Sequence, residues 1–99
     1  MTATENCDEL KAGDELDKLV ACVVLGYGKI GPYSTDIAAA WKVVEHLRMR
    51  GFFQFQVWNY LYVWHASFAN ADFSFADLEV DAPTAPLAIC RAALKARRS

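Results

Sequence analysis

The stretch Tyr60-Leu61-Tyr62-Val63-Trp64-His65-Ala66-Ser67-Phe68, YLYVWHASF, decides how this chain is read. As a strand it puts Tyr60, Tyr62, Trp64, Ala66 and Phe68 on one face and Leu61, Val63 and His65 on the other. Both faces are largely apolar. Such a strand calls for cover on both sides, and therefore for helices above and below a sheet.

Immediately upstream, Phe52 to Val57 alternates Phe53, Phe55 and Val57 against Phe52, Gln54 and Gln56. Trp58-Asn59 between the two runs reads as a tight turn, so they pair as an antiparallel hairpin. Downstream, Asn70, Ala71 and Asp72 mark another turn, and FSFADLEV (Phe73 to Val80) reads as a short, interrupted third strand broken by Asp81-Ala82-Pro83. Thr84 then caps a last helix, Ala85 to about Arg97, with Pro86 in the tolerated first turn and Leu87, Cys90, Ala93 or Leu94 as a narrow apolar face.

Before the hairpin, Ser34 or Thr35 caps a helix from Thr35 to Arg50, with Asp36 in the first turn and Arg48 and Arg50 in the last. Ile37, Ala40, Trp41, Val44 and Leu47 form its apolar stripe, and Gly51 stops it. A further helix, Glu15 to Leu25, starts at a capping Asp14 and spaces Leu16, Leu19, Val20, Val23 and Val24 by three and four. The β-branched cluster over Val20 to Leu25 offers a strand as the competing reading. The expected architecture is α+β: a compact three-layer α/β/α sandwich in the order helix, helix, antiparallel hairpin or meander of two to four strands, helix. Residues 1–12 are expected to be a flexible acidic N-terminus and 13–99 a single domain.

Ninety-nine residues suffice for one core, and a hydrophobic content of 55% favours a folded globule. The net charge of −2 hides an uneven distribution. Residues 1–17 hold Glu5, Asp8, Glu9, Asp14, Glu15 and Asp17 against Lys11, whereas residues 91–99 hold Arg91, Lys95, Arg97 and Arg98 without an acid. The basic end reads as a complement to a helix C-terminus rather than as a nucleic-acid site, because no basic stripe with interleaved aromatics accompanies it. Cys7, Cys22 and Cys90 are odd in number and form no C-x-x-C, which fits reduced thiols in a cytoplasm. The longest apolar run, Leu19 to Tyr27, is too short for a membrane span.

LGYGKIG (Leu25 to Gly31) spells G-x-G-x-x-G. A dinucleotide site needs a strand before these glycines, a helix opening at the third and an acid about 20 residues on. Here the preceding segment reads as a helix, Pro32 and Tyr33 intervene, and Phe52 to Val57 runs into Trp58-Asn59 without an acid. The glycines are expected to make a helix-to-helix corner exposing Tyr27 and Lys29, with no cofactor. His46 and His65 share no metal-ligand spacing with a Cys or an acid. A Cys–His dyad between Cys22 or Cys90 and His65 stays open, although nothing marks an oxyanion site or an orienting group beside it.

The aromatic set Trp58, Tyr60, Tyr62, Trp64 and Phe68 is the richest feature, with core packing as its default role. Where the sheet is covered on one side only, Tyr60, Tyr62 and Trp64 become an exposed stripe of the kind that forms interface hot spots. Base stacking wants neighbouring cations, and residues 51–76 have no Lys or Arg. The candidate partner-binding residues are therefore Tyr60, Tyr62, Trp64 and Trp58, with Tyr27 and Lys29 in the glycine corner.

Taken together, YSTDIAAAWKVVEHLR (Tyr33 to Arg48) and TAPLAICRAALKA (Thr84 to Ala96) resemble the phage ABA sandwich domain, a family of small bacteriophage and prophage proteins. DELDKLVACVVLGY (Asp14 to Tyr27) resembles its opening helix, and the aromatic middle departs from its pattern. The resemblance implies the three-layer arrangement and brings no catalytic residues. The expected function is that of a phage accessory protein in the host cytoplasm, not an enzyme. It would bind a host or phage protein, with an anti-CRISPR-like inhibitor as the specific case. A small-ligand or nucleotide binder using the glycine loop and a structural phage protein are the alternatives, and a homo-oligomer stays open.

Overall fold

The computed structural model describes residues 10–26 and 30–98. Helix α1 (Asp14–Leu19) opens at Gly13, whose φ of 134° no other residue adopts readily, and Asp14 is its first helical residue rather than its cap. It continues unbroken into a π-helical segment, Val20–Leu25, closed by Gly26 in the left-handed conformation. The buried positions are Leu16, Asp17, Val20, Ala21, Val24 and Leu25. A π-turn carries more residues than an α-turn, so the buried stripe rotates: Leu19 and Val23, expected inside, lie at its rim, and Ala21 and Leu25 replace them.

Helix α2 (Ile37–Arg48) is capped by Asp36, whose carboxylate accepts the Ala39 N–H at 3.1 Å. Neither expected cap, Ser34 or Thr35, fills the role, and Ser34 is engaged elsewhere. It is wholly buried; its N–H and Oγ–H both donate to Asp17 Oδ1, at 2.8 and 2.7 Å, and its Oγ accepts from Gly13 N–H at 2.9 Å. The polar bolt joins the start of α1 to the approach to α2, and it explains how Asp17 is held inside at 5% exposure. Ala39, Ala40, Val43, Val44 and Leu47 form the inner face of α2. Ile37 and Trp41 were expected there, but both are half exposed. Small side chains suit the close packing of α2 on the alanine-rich last helix, and the bulky Trp41 sits at the rim, edge-on to Phe55 with ring centroids 5.8 Å apart. Gly51, at φ 104°, ends the turn as expected.

Strands β1 (Gln54–Tyr60) and β2 (Val63–Ala69) pair antiparallel from Gln54↔Ala69 to Tyr60↔Val63. The turn is thus Leu61-Tyr62, not Trp58-Asn59. Asn59 lies in the strand and braces the turn by donating from Nδ2 to the Val63 carbonyl at 3.1 Å. After β2, Asn70 Oδ1 accepts the N–H groups of Asp72 and Phe73, both at 2.8 Å. The expected third strand over Phe73 to Val80 is instead one helical turn, α3 (Phe75–Leu78), followed by β3 (Val80–Ala82). Asp81 and Ala82, read as strand breakers, are the strand, paired antiparallel to β2 at Trp64↔Ala82, His65↔Asp81 and Ala66↔Val80.

Helix α4 (Ala85–Arg98) starts at Thr84, whose Oγ1 accepts from Leu87 N–H at 3.4 Å. Its buried set, from Leu87 and Ala88 to Leu94 and Ala96, reaches nearly around the helix. A helix apolar on most sides belongs in the interior, and α4 packs against β2 and β3 on one side and against α2 and the π-helical segment on another. The sheet order is β1-β2-β3. Ala66 and Phe68 of β2 enter the core that α4 completes, while Ser67 points the opposite way, fully buried, and donates its hydroxyl to the Phe75 carbonyl of α3. Helix α4 therefore covers one face of the sheet, with α2 and the π-helical segment packed on α4, and α3 covers the C-terminal half of β2 on the other. The class is that expected, and so is the element order apart from α3 between β2 and β3.

Candidate interaction surface

Residues opposite one another across a ladder share a face, so the register sets Trp58, His65 and Asp81 in one row across all three strands. This row lies on the second face. The Trp58 ring stacks on the His65 imidazole with centroids 4.0 Å apart and planes 15° from parallel. On its other side Asp81 Oδ1 approaches His65 Nδ1 to 2.8 Å. The contact does not meet hydrogen-bond geometry, so among the described residues the enclosed Nδ1 has no hydrogen-bond partner. Ser67 follows His65 on this face, but its hydroxyl is directed to Phe75 and the side chain is closed to solvent. It offers His65 no accessible nucleophile.

The hairpin end projects from this row. Tyr60 is 66% exposed, Leu61 72% and Tyr62 90%, with Val63 and Trp58 close to 40%. Leu61 holds φ at 58°, the left-handed region that an L-residue with a γ-branched side chain seldom occupies. An apolar side chain is thus set at the apex by a strained backbone. Trp64, expected in the exposed stripe, lies on the helix-facing side opposite Asn59 and Ala82 and packs against the core. Tyr60 and Tyr62 are not on one strand with it: Tyr60 ends β1 and Tyr62 is in the turn. Tyr27 and Lys29 lie outside the described residues. Moving the turn by three residues adds Leu61 and Val63 to the surface, and their exposure was hidden by reading them as mid-strand.

A second apolar area lies where α2 ends and β1 begins. Trp41, Glu45, Arg48, Phe53 and Phe75 line a shallow groove there, beside the exposed Met49. Glu45 and Arg48 form a 3.2 Å ion pair on its rim.

The remaining titratable groups are dispersed. Cys90 is buried in α4, and burial first, then the nearby Asp17 carboxylate, push its thiol far above the ordinary range. It faces the core on the helix side of the sheet, whereas His65 faces the other side, so the two are not brought together. Cys22 is exposed on the π-helical segment. His46 has its pKa lowered by partial burial and by the cations Arg50 and Arg97, against an opposing hydrogen bond with the Val24 backbone. Among the described residues no three His, Cys, Asp or Glu side chains are grouped to hold a metal ion, and no helix is long and apolar enough to cross a membrane.

The basic residues of α4 do more than complement its C-terminus. Arg91 donates from Nε to the Leu10 carbonyl at 2.6 Å and from Nη1 to the Asp81 carbonyl at 2.7 Å, and Lys95 donates to the Glu79 carbonyl at 3.1 Å. As for the glycine-rich stretch, the segment preceding it is helical, as expected, and Gly31 lies against the Tyr33 ring so closely that a Cβ there would stand 3.2 Å from it.

No curated protein and no solved structure matches the chain. The family model for the phage ABA sandwich domain does, over residues 20–94. That span runs from the π-helical segment through the sheet and into α4, taking in the elements that build the core. The chain belongs to the phage ABA sandwich domain family.

Proposed function

We propose that this protein is a phage or prophage accessory protein that acts by binding another protein, with the end of the β1–β2 hairpin as its docking surface. One observation carries the reading: Tyr60, Leu61, Tyr62 and Val63 are consecutive, apolar or aromatic, and exposed. Such a contiguous patch is what partner surfaces are made of, and tyrosines are common hot-spot residues. The phage association of the family supports a host or phage protein in the bacterial cytoplasm as the partner, and inhibition of a host factor or defence component as the effect. The function is one of binding, not of catalysis.

The test compares wild-type protein with Tyr62→Ala and Tyr60→Ala on a support exposed to host lysate, with circular dichroism of each variant. A partner retained by the wild type and released by the folded variants supports the reading. A partner retained equally by all three, or none retained by the wild type, counts against it.

A further inference from the structure

We propose that the free edge of β1 is the seam of a homodimer, in which β1 pairs antiparallel with β1 of a second copy to make one six-stranded sheet. The two edges of this sheet differ. At the β3 edge, the carbonyls of Glu79 and Asp81 already accept from Lys95 and Arg91. At the β1 edge, no described strand pairs with the outer side of Gln54–Tyr60.

Folded proteins usually protect such an edge with charge, proline or a bulge. Strand β1 has none of the three: its register with β2 is unbroken, and residues 51–71 contain no Asp, Glu, Lys, Arg or Pro. A neutral strand meets its own copy across a two-fold axis without like-charge repulsion, and antiparallel pairing is the self-complementary arrangement that such an axis produces. This is what favours a second copy over a charged partner at this edge.

The area is consistent. Phe53, Trp58 and Tyr60 are 74%, 43% and 66% exposed, and at about 150–250 Å² for an aromatic residue they offer about 350 Å² per copy. The strand backbone and its glutamines bring the sum toward the lower limit of a stable interface, about 600 Å² per partner. An interface of this size suits a reversible, concentration-dependent dimer and not an obligate one. The two hairpin ends point in opposite directions in this arrangement, and Leu61 and Tyr62 stay free at each. Tyr60 belongs to both surfaces, but Leu61, Tyr62 and Val63 lie outside the seam, so this inference does not rest on the proposed partner.

The experiment is light scattering of the protein from low micromolar to millimolar concentration, with amide hydrogen exchange read across Gln54–Tyr60. The mass is expected to rise from 11.0 kDa toward twice that value, with exchange of the β1 amides slowing as it does. Gln56→Lys sets two cations near the axis and is expected to stay monomeric, as does Gln54→Lys should the first variant fail to fold. Mixing Gln56→Lys with Gln56→Glu is expected to restore the dimer. A monomer at every concentration, or a dimer whose β1 exchange is unaltered and which survives Gln56→Lys, overturns the proposal. Lysate capture by a strict monomer would leave the partner reading standing while this one fell.

Discussion

Leu61 offers the sharpest separation of folding from function. Its φ of 58° costs an ordinary L-residue about 1–2 kcal/mol, whereas Asn tolerates this conformation. The side chain is 72% exposed, so removing it forfeits about a quarter of what full burial of a leucine contributes, about 0.5 kcal/mol. Leu61→Asn is therefore expected to stabilise the domain by about 0.5–1.5 kcal/mol, and by the size scaling to raise Tm by about 2–12 °C. Leu61→Val keeps the side chain apolar but places a β-branched residue in the same conformation, and is expected to destabilise by about 1 kcal/mol. Thermal and urea unfolding of the three proteins read these shifts directly. In partner capture, Leu61→Asn should bind more weakly than wild type although it is the more stable protein. The reasoning is refuted if Asn and Val destabilise alike, since the conformation at position 61 then has no part in the energetics. A gain in stability without loss of binding would remove Leu61 from the docking surface and leave the strain unexplained.

Further outcomes follow from the interior. Ser34→Ala deletes a charge-assisted hydrogen bond to buried Asp17 and the acceptor for Gly13 N–H, and chemical denaturation should show a loss of about 2–3 kcal/mol. Ser34→Thr, which keeps the hydroxyl, should lose less. His46 has a folded-state pKa below its unfolded value near 6.5, so the unfolded chain takes up its proton first as pH falls. Its contribution is complete above pH 6.5 and is lost downward toward the folded pKa; His46→Gln should flatten the fall in Tm over that interval, and an unchanged profile would assign it to other groups. Cys22 should react with a thiol reagent in the native protein, whereas Cys90, buried and with its thiolate disfavoured, should react only on unfolding; prompt labelling of Cys90 would contradict the packing around α4.

The parts of this fold legible in the sequence are those set by local backbone chemistry. Gly51 ends α2 because a positive φ is needed there, and Thr84 with Pro86 begins α4 because both fit a helix start. The parts that were hidden depend on contacts distant in sequence. Ser34 has the side chain of a cap, yet Asp17 holds it, so Asp36 takes the role. Trp41 belongs to an apolar stripe by spacing, but the alanines of α4 admit only small neighbours. FSFADLEV alternates like a strand until Ser67 binds the Phe75 carbonyl and Leu78 turns into the core. The candidate surface divides in the same way. Its aromatic character was plain from composition, but its position rests on a turn at Leu61-Tyr62, which carries no turn-forming residue. Nor does any local pattern announce the Trp58–His65–Asp81 row, which exists only through register.

The guanidinium of Arg91 grips a carbonyl near the start of the chain and another in β3, and α4 around it supplies the apolar wall on which the sheet and the other helices close. On the ribosome, α4 emerges after every element that it joins. Until it does, the hairpin has been made but has no wall to lie on, and Phe68, Ala66 and Val80 face water together with the outward aromatics. Contacts that span most of the chain are slow to form. The nascent protein therefore passes through an interval in which its uncharged strands are at their most adhesive, and its yield in a cell should respond to the rate at which α4 is translated and to the holding chaperones present during that interval.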